Sequence, residues 1–175
     1  MRLRKLQPDD DRSAFGCGDS DYDDYLHKYA GQNQFRHRVG VTIVAVEDER
    51  VVGYATVSPG HVEADELLEP DCTRLPRYPL PVLRLGRLAV DVRQQGMGLG
   101  TRLVYEVLDL AERMRDELGC VAVVADVLRS RIAFYEEIGF RPLKVAVGRS
   151  PVVGTIPMYL AVRKVGKARP SDIGQ

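Results

Sequence analysis

The sequence RLGRLAVDVRQQGMGLGTRLVYEVLDLAERMR, residues 84–115, is the segment from which the fold of this chain can be predicted. It begins with an apolar, β-prone run that ends at Val92, and it continues through a glycine-rich segment. Apolar residues then recur at helical spacing from Leu103 to Met114. The pattern predicts a strand, a glycine-rich turn and a helix, in that order.

The turn has the features of an anion-binding site. Gly96, Gly98 and Gly100 permit positive φ angles and leave the main-chain amides accessible. Because the turn precedes a helix, amides without intrahelical partners and the positive end of the helix dipole point to the same place. Arg93 can add a full positive charge. We therefore expect the turn to bind a pyrophosphate, with a purely structural glycine turn as the alternative.

Two other nucleotide-binding motifs fit the turn less well. A P-loop requires Lys followed by Ser or Thr after its last glycine, whereas Gly100 is followed by Thr101 and Arg102. A dinucleotide-binding turn has the spacing G-x-G-x-x-G near the start of a βαβ unit, and here Thr101 occupies the third glycine position.

Arg93-x-x-Gly96-x-Gly98 resembles the acetyl-CoA signature of the GNAT N-acetyltransferases, and it follows Leu88-Ala89-Val90, which is similar to the strand that precedes this signature in the family. The segment FYEEIGF, residues 134–140, is similar to the closing helix-to-strand motif of the same family. The resemblance extends from about residue 3 to residue 165. It implies acetyl-CoA as co-substrate and no metal.

The resemblance also implies the fold. We expect one α/β (α+β) domain over residues 1–165, with a mixed, mostly antiparallel sheet of six to seven strands that is flanked by helices and splayed at its central strands. The 175 residues, 45% of them hydrophobic and 29% charged, are typical of one globular domain. Residues 166–175 are predicted to form a flexible tail.

The remaining elements follow from local patterns. A helix is predicted from Ser20, and residues 61–69 fit a strand and a helix equally well. Further strands and one helix are predicted over residues 41–47, 50–58, 120–126, 129–138 (the helix), 140–147 and 156–162.

The resemblance assigns the site residues. Tyr135 matches the tyrosine that commonly protonates the departing thiolate in this superfamily, and the alternative is a tyrosine that only packs in the core. Phe134 is interpreted as a core residue. The expected cofactor-binding residues are Leu88, Ala89, Val90, Arg93, Gln94, Gln95, Gly96, Met97, Gly98, Leu99, Gly100 and Thr101.

The sequence departs from the family pattern before Tyr135. Leu128 and Arg131 stand where many members have Asn and Ala, so the resemblance does not imply the usual side-chain contact from that Asn to pantetheine. No residue is identified as the general base. Glu63, Asp91 and Asp126 are candidate carboxylates, and a water chain or no dedicated base is equally compatible with the sequence.

Cysteine and histidine positions argue against a disulfide framework and a zinc site, because the three residues of each type are widely separated and form no paired motif. The N-terminus lacks the apolar region of a secretion signal, and no segment approaches membrane-spanning length. We expect a cytoplasmic protein that does not insert into membranes.

A finer resemblance is to the acetyltransferase toxins of bacterial toxin-antitoxin systems. It is carried by Phe15-x-Cys17-Gly18 with the tyrosine-rich helix that follows, by residues 75–79 (LPRYP), and by residues 85–91 (LGRLAVD). The resemblance implies acetylation of the α-amino group of aminoacyl-tRNA, a ribbon-helix-helix antitoxin as partner, and a homodimer.

The residues themselves leave the acceptor open. A tRNA acceptor requires cations near the thioester, and candidates are Arg36, Arg38, Arg74, Arg77, Arg84 and Arg87. Arg84 and Arg87 are an odd number of residues apart on the predicted strand, so we expect them to point to opposite faces and not to join one patch. The net charge is zero. The alternatives are a small-molecule or protein amine as acceptor and, in another functional class, a non-catalytic acyl-CoA-binding sensor.

Overall fold

The computed structural model describes residues 1–144 and 153–162. Its seven strands form one sheet with the order β1-β2-β3-β4-β5-β7-β6. The pairing of β4 with β5 is parallel, and the other pairs are antiparallel. The strands are β1 (Arg2–Lys5), β2 (Val41–Glu47), β3 (Arg50–Val62), β4 (Leu80–Val90), β5 (Ala122–Leu128), β6 (Arg141–Pro142) and β7 (Thr155–Ala161). The predicted mixed, mostly antiparallel sheet is confirmed.

In the described part of the chain three α-helices accompany the sheet, namely α1 (Ser20–Asp24), α2 (Leu99–Glu117) and α3 (Ile132–Ile138). Two π-helical segments, Tyr25–Tyr29 and Gln32–His37, follow α1, and short 3₁₀ turns cover Ala64–Glu66, Val92–Gln94 and Arg129–Arg131. The ambiguous segment 61–69 therefore contains the end of β3 and one 3₁₀ turn. Of the predicted strand 140–147, residues 145–147 lie outside the described residues, as does the predicted tail 166–175.

The helices cover both faces of the sheet. On one face α2 packs through Leu103, Val104 and Val107, which are completely buried. On the opposite face the segment formed by α1 and the turn Tyr25–Tyr29 packs through Leu26 against Tyr54 of β3, and both side chains are also completely buried. The apolar spacing that the sequence predicts from Leu103 onward thus packs α2 against one face of the sheet.

The sheet splays between its central strands. β4 and β5 pair over four residues, from Val82–Ala122 to Leu85–Ala125. Beyond this point β4 remains paired with β3 up to Val90, whereas β5 continues to Leu128 paired with β7. The two strands therefore separate and leave a cleft, as expected for the central strands.

A β-bulge in β4 changes which face its side chains occupy. Consecutive residues Thr56 and Val57 of β3 pair with Arg87 and Leu85, so that Gly86 is the extra residue. As a result Leu83 and Leu85 before the bulge pack in the same cluster as Leu88 and Val90 after it. Arg84 and Arg87 consequently share the opposite face. The prediction that they point to opposite faces was wrong because it assumed an unbroken strand.

Asp91 joins the end of β4 to the N-terminal loop. Its side chain is 1% exposed. Its carboxylate accepts hydrogen bonds from the main-chain N–H of Gly16 (3.2 Å) and of Arg93 (3.0 Å), and from the Arg93 guanidinium (2.9 and 3.0 Å). The Arg93 hydrogen bonds are the main reason that the pKa of Asp91 is lowered to about 2. This carboxylate is engaged in structure, which argues against a role as general base.

We predict that Asp91→Asn lowers the free energy of unfolding by about 2 kcal/mol at neutral pH. The folded-state pKa is depressed, so the contribution is present above the unfolded value of 3.8 and is lost as the pH falls through about 2. Urea unfolding across this range measures the effect. The exposed Asp9→Asn is the matched control, and a difference from the parent that does not shrink with acid contradicts this account.

Candidate functional site

The cleft between β4 and β5 opens into a cavity of about 610 Å³. One wall is the end of β4, the second is formed by the glycine-rich turn and the start of α2, and the third by the end of β5 and by α3. Residues from the N-terminal loop and α1 close the fourth side. The lining residues are Cys17, Asp19, Tyr22, Leu85 to Val90, Gln94, Gln95, Gly96, Gly98 to Thr101, Asp126 to Leu128, Arg131, Phe134, Tyr135 and Glu137.

The glycine-rich turn has an open, left-handed backbone. Gly96 and Gly98 both have φ of +77°, and a Cβ added at either would meet no described atom within 4 Å. Gly98 caps the N-terminus of α2 without a side-chain hydrogen bond. The first amides of α2 therefore have no intrahelical acceptor and lie at the cavity wall, where the helix dipole favours an anion. The turn therefore has the open backbone and the unpaired amides that an anion such as a diphosphate requires.

Gly100 serves a different purpose from the other two glycines. It lies within α2, and a Cβ at this position would lie 3.5 Å from Phe134 Cζ and 3.8 Å from Val90 Cγ2. It allows the helix, the strand and α3 to approach one another closely. Phe134, interpreted from the sequence as a core residue, also lines the cavity.

Two of the expected cofactor-binding side chains do not line the cavity. The Arg93 guanidinium bonds to Asp91 and donates to the carbonyl of Ala14 at 3.0 Å. Met97 is 61% exposed. The other ten expected residues, which are Leu88, Ala89, Val90, Gln94, Gln95, Gly96, Gly98, Leu99, Gly100 and Thr101, lie at the cavity wall. The charge that we expected Arg93 to offer to a phosphate is instead neutralised by Asp91.

The open edge of β4 presents main-chain groups to the cavity. The Val90 carbonyl accepts a hydrogen bond from the Gln95 side chain at 2.9 Å, whereas the next residue, Asp91, donates to Val52 of β3. Alternate residues of a strand direct their N–H and C=O groups to the same side. Leu88 therefore directs its main-chain groups away from β3 and towards the cleft, where they are free of β5.

Tyr135 is held in the cavity wall by aromatic packing. It lies near the start of α3, its ring contacts Phe134 and Phe140 edge to face at 5.2 Å in each case, and it is 9% exposed. Gly139, with φ of +110°, ends the helix, and the N–H of Phe140 donates to the Tyr135 carbonyl at 3.0 Å. This helix end brings the Phe140 ring back onto Tyr135.

The hydroxyl of Tyr135 keeps its proton at neutral pH. Burial raises the pKa of this phenol, Tyr22 raises it further, and the Arg131 guanidinium lowers it. A phenol in this state can donate a proton to a strongly basic group that forms beside it.

Tyr22, Cys17 and Asp19 are cavity residues that the sequence did not identify. Tyr22 lies in the tyrosine-rich helix that the sequence predicts from Ser20, and its carbonyl accepts a hydrogen bond from the Tyr54 hydroxyl at 2.8 Å. The Tyr22 side chain is partly buried, and burial raises its pKa. The three tyrosines of residues 22–29 were the available signal, but the same pattern fits simple packing.

The candidate general bases named from the sequence differ in whether they lie at the cavity wall. Asp126 lines the cavity and forms an ion pair with Arg84 across the splay. Glu63 caps the 3₁₀ turn Ala64–Glu66, and it is absent from the cavity wall. Asp126 is therefore the one carboxylate among the three sequence candidates that faces the cleft.

Within residues 1–144 and 153–162, no cluster of His, Cys, Asp and Glu could hold a metal ion. None of the helices in this part of the chain is long and apolar enough to cross a membrane.

Comparison with known proteins identifies the family. The profile of the Acetyltransferase (GNAT) family matches residues 3–140. The chain is also 33% identical over 140 residues to a tRNA-acetylating toxin of Mycobacterium tuberculosis, a match that covers 78% of this chain and 82% of that protein.

Solved structures of toxins share the fold. AtaT complexed with acetyl-methionyl-tRNAfMet superimposes with a TM-score of 0.80 at 22% identity, covering 91% of this chain and 94% of that one. A mutant of AtaT bound to the C-terminus of the antitoxin AtaR and to acetyl-CoA gives a TM-score of 0.72 at 21% identity, with 92% of each chain covered.

The strand, glycine-rich turn and helix around a splayed sheet agree with the profile match over most of the chain. The chain belongs to the GNAT family and is an acetyltransferase that uses acetyl-CoA as its co-substrate.

Proposed function

We propose that this acetyltransferase modifies the α-amino group of aminoacyl-tRNA and acts as the toxin of a toxin-antitoxin pair. The observation that carries the proposal is the 33% identity, over most of both chains, to a protein named as a tRNA-acetylating toxin. A cavity that is open to solvent beside Tyr135 supports it, because a bulky acceptor must bring its amine to the thioester.

We assign the two ends of acetyl-CoA to two parts of the cavity wall. The diphosphate binds the amides between Gly96 and Thr101, and the pantetheine lies along the open edge of β4 at Leu88 to Val90. Since Gln95 already donates to the Val90 carbonyl, the main-chain groups of Leu88 are the freer partners for pantetheine amides. An amide that donates to the thioester carbonyl is worth about 3 kcal/mol.

Tyr135 is the proposed proton donor. The co-substrate supplies the activated acetyl group, and the acceptor must offer a neutral amine. Tyr135 holds its proton because its phenol is buried, so it can protonate the sulfur that leaves as the new amide forms. The aromatic contacts on both sides fix the direction of the hydroxyl.

The partners and the location follow from the same proposal. An antitoxin of the ribbon-helix-helix class would neutralise the enzyme, the active form would be a homodimer, and the site of action would be the cytoplasm. The structure of AtaT bound to AtaR supports an antitoxin partner, because AtaT has the same fold.

We predict that Tyr135→Phe lowers the rate of acetyl transfer by about 10²- to 10⁴-fold, the range for loss of a general acid. The affinity for CoA should stay the same, because only the hydroxyl is removed. Single-turnover assays and calorimetry measure the two effects. Tyr105→Phe on α2 is the control for loss of a phenol elsewhere, and transfer at the parent rate by Tyr135→Phe contradicts the proposed role.

An acceptor screen tests the substrate class. Radiolabelled acetyl-CoA should be offered with charged tRNA, uncharged tRNA, free amino acids, polyamines and peptides. We expect label on charged tRNA, in a form that is released as N-acetylamino acid when the ester is hydrolysed. Label on a free amine or a peptide but on no charged tRNA excludes the proposed function and leaves a small-molecule or protein acceptor.

A further inference from the structure

Arg87 is a partly buried cation in the cavity wall without a carboxylate partner. It follows the bulge in β4, and its guanidinium carbon lies 4.0 Å from the centroid of the Tyr25 ring. Within the described part of the chain no Asp or Glu forms an ion pair with it. A cation over an aromatic face keeps its charge and its N–H donors.

Arg84 differs from Arg87 in this respect. The bulge at Gly86 brings both arginines to one face of the sheet, but the Arg84 guanidinium pairs with Asp126 across the splay. Arg84 therefore holds the two strands at the mouth of the cleft. Of these two arginines, Arg87 is the one that has no carboxylate partner among the described residues.

An aromatic stack fixes the position of Arg87. Tyr25 stacks on Tyr54 with a centroid distance of 6.1 Å and an interplanar angle of 21°. Tyr54 is completely buried, and its hydroxyl donates to the Tyr22 carbonyl. The core therefore holds the Tyr25 ring, and the cation–π contact favours one position of the Arg87 guanidinium before any ligand binds, which reduces the entropic cost of binding.

A second cation belongs to the same end of the cavity. Arg131 is exposed at the start of α3 and lines the cavity. Both Arg87 and Arg131 exert a lowering influence on the pKa of Tyr22, so the Tyr22 hydroxyl lies within the field of both. Tyr22 also influences Tyr135. Asp19, which also lines the cavity, opposes the two arginines at Tyr22. Arg131 is therefore a second cation at the end of the cavity that holds Tyr22 and Tyr135.

Arg87 and the glycine-rich turn lie on different sides of the sheet. The turn leads into α2, which packs on the face that carries Leu88 and Val90. Arg87 contacts Tyr25, which packs on the opposite face. A phosphate held by Arg87 is thus separate from a diphosphate held by the amides of the turn.

We propose that Arg87 binds a backbone phosphate at the 3′ end of the acceptor RNA, next to the nucleotide that carries the amino acid. This inference rests on the proposed function. In such an acceptor the amino acid is esterified to the terminal ribose, and the nearest phosphate is on the other side of the same ribose. When the amine lies beside Tyr135, this phosphate needs a binding site a short distance away. Arg87, on the face of the sheet that carries Tyr25, offers planar N–H donors for it.

The test compares Arg87→Gln and Arg87→Lys with the parent on two acceptors, charged tRNA and an amino acid amide that lacks phosphate. For Arg87→Gln we expect kcat/KM on charged tRNA to fall about ten- to hundredfold, with kcat/KM on the amide and the affinity for CoA unchanged. Arg87→Lys should have an intermediate kcat/KM on charged tRNA, because lysine keeps the positive charge but lacks the paired N–H donors of the guanidinium. The slope of the logarithm of the binding constant for charged tRNA against the logarithm of the salt concentration should become less steep by about 0.7 in Arg87→Gln.

Arg113→Gln is the matched control, because it removes an exposed positive charge from α2. Thermal midpoints establish that each variant is folded. Equal losses on both acceptors contradict the proposal and indicate a structural role for Arg87. Weaker CoA binding would assign the phosphate to the co-substrate instead. If the parent acetylates no charged tRNA, both the proposed function and this inference fail. If the parent acetylates charged tRNA and Arg87→Gln does so with the same kcat/KM, only this inference fails.

Discussion

The structure depends on one unpaired strand edge. Main-chain N–H and C=O groups that are removed from water must find partners, and β4 loses its partner β5 after Leu85. A bound strand-like group can supply the missing partners at Leu88, while the Gln95 side chain already supplies one at Val90. The separation of the two strands thus creates both the space and the hydrogen-bonding capacity for a peptide-like ligand.

Two local features, the bulge at Gly86 and the hydrogen bonds of Asp91, position this strand edge beside the cleft. The bulge at Gly86 lets β4 present Leu88 and Val90 to the core on one face and Arg87 to Tyr25 on the other. Asp91 then pins the end of the strand to the N-terminal loop through Gly16 and Arg93. Because that anchor is rigid, the turn that follows begins α2 at a fixed position beside the cleft.

The sequence predicted the parts of the fold that depend on local pattern. The strand, turn and helix of residues 84–115 and the limits of β2 follow from apolar spacing. The bulge was not predictable, because it is defined by the register of β4 against β3. The ion pair between Arg93 and Asp91 was also not predicted, because the sequence motif does not specify which partner a charged side chain takes. Tyr22 reached the cavity wall only through tertiary packing of α1.

The claim that the glycine-rich turn binds the diphosphate is tested most directly by calorimetry. The affinities for CoA and for pantetheine, which lacks the diphosphate, are compared in the parent and in Gly98→Ala. In the variant an alanine must adopt φ of +77°, which strains or reorients the turn. We expect the parent to bind CoA far more tightly than pantetheine, and we expect Gly98→Ala to weaken only the binding of CoA. Equal affinity of the parent for the two ligands would contradict the claim.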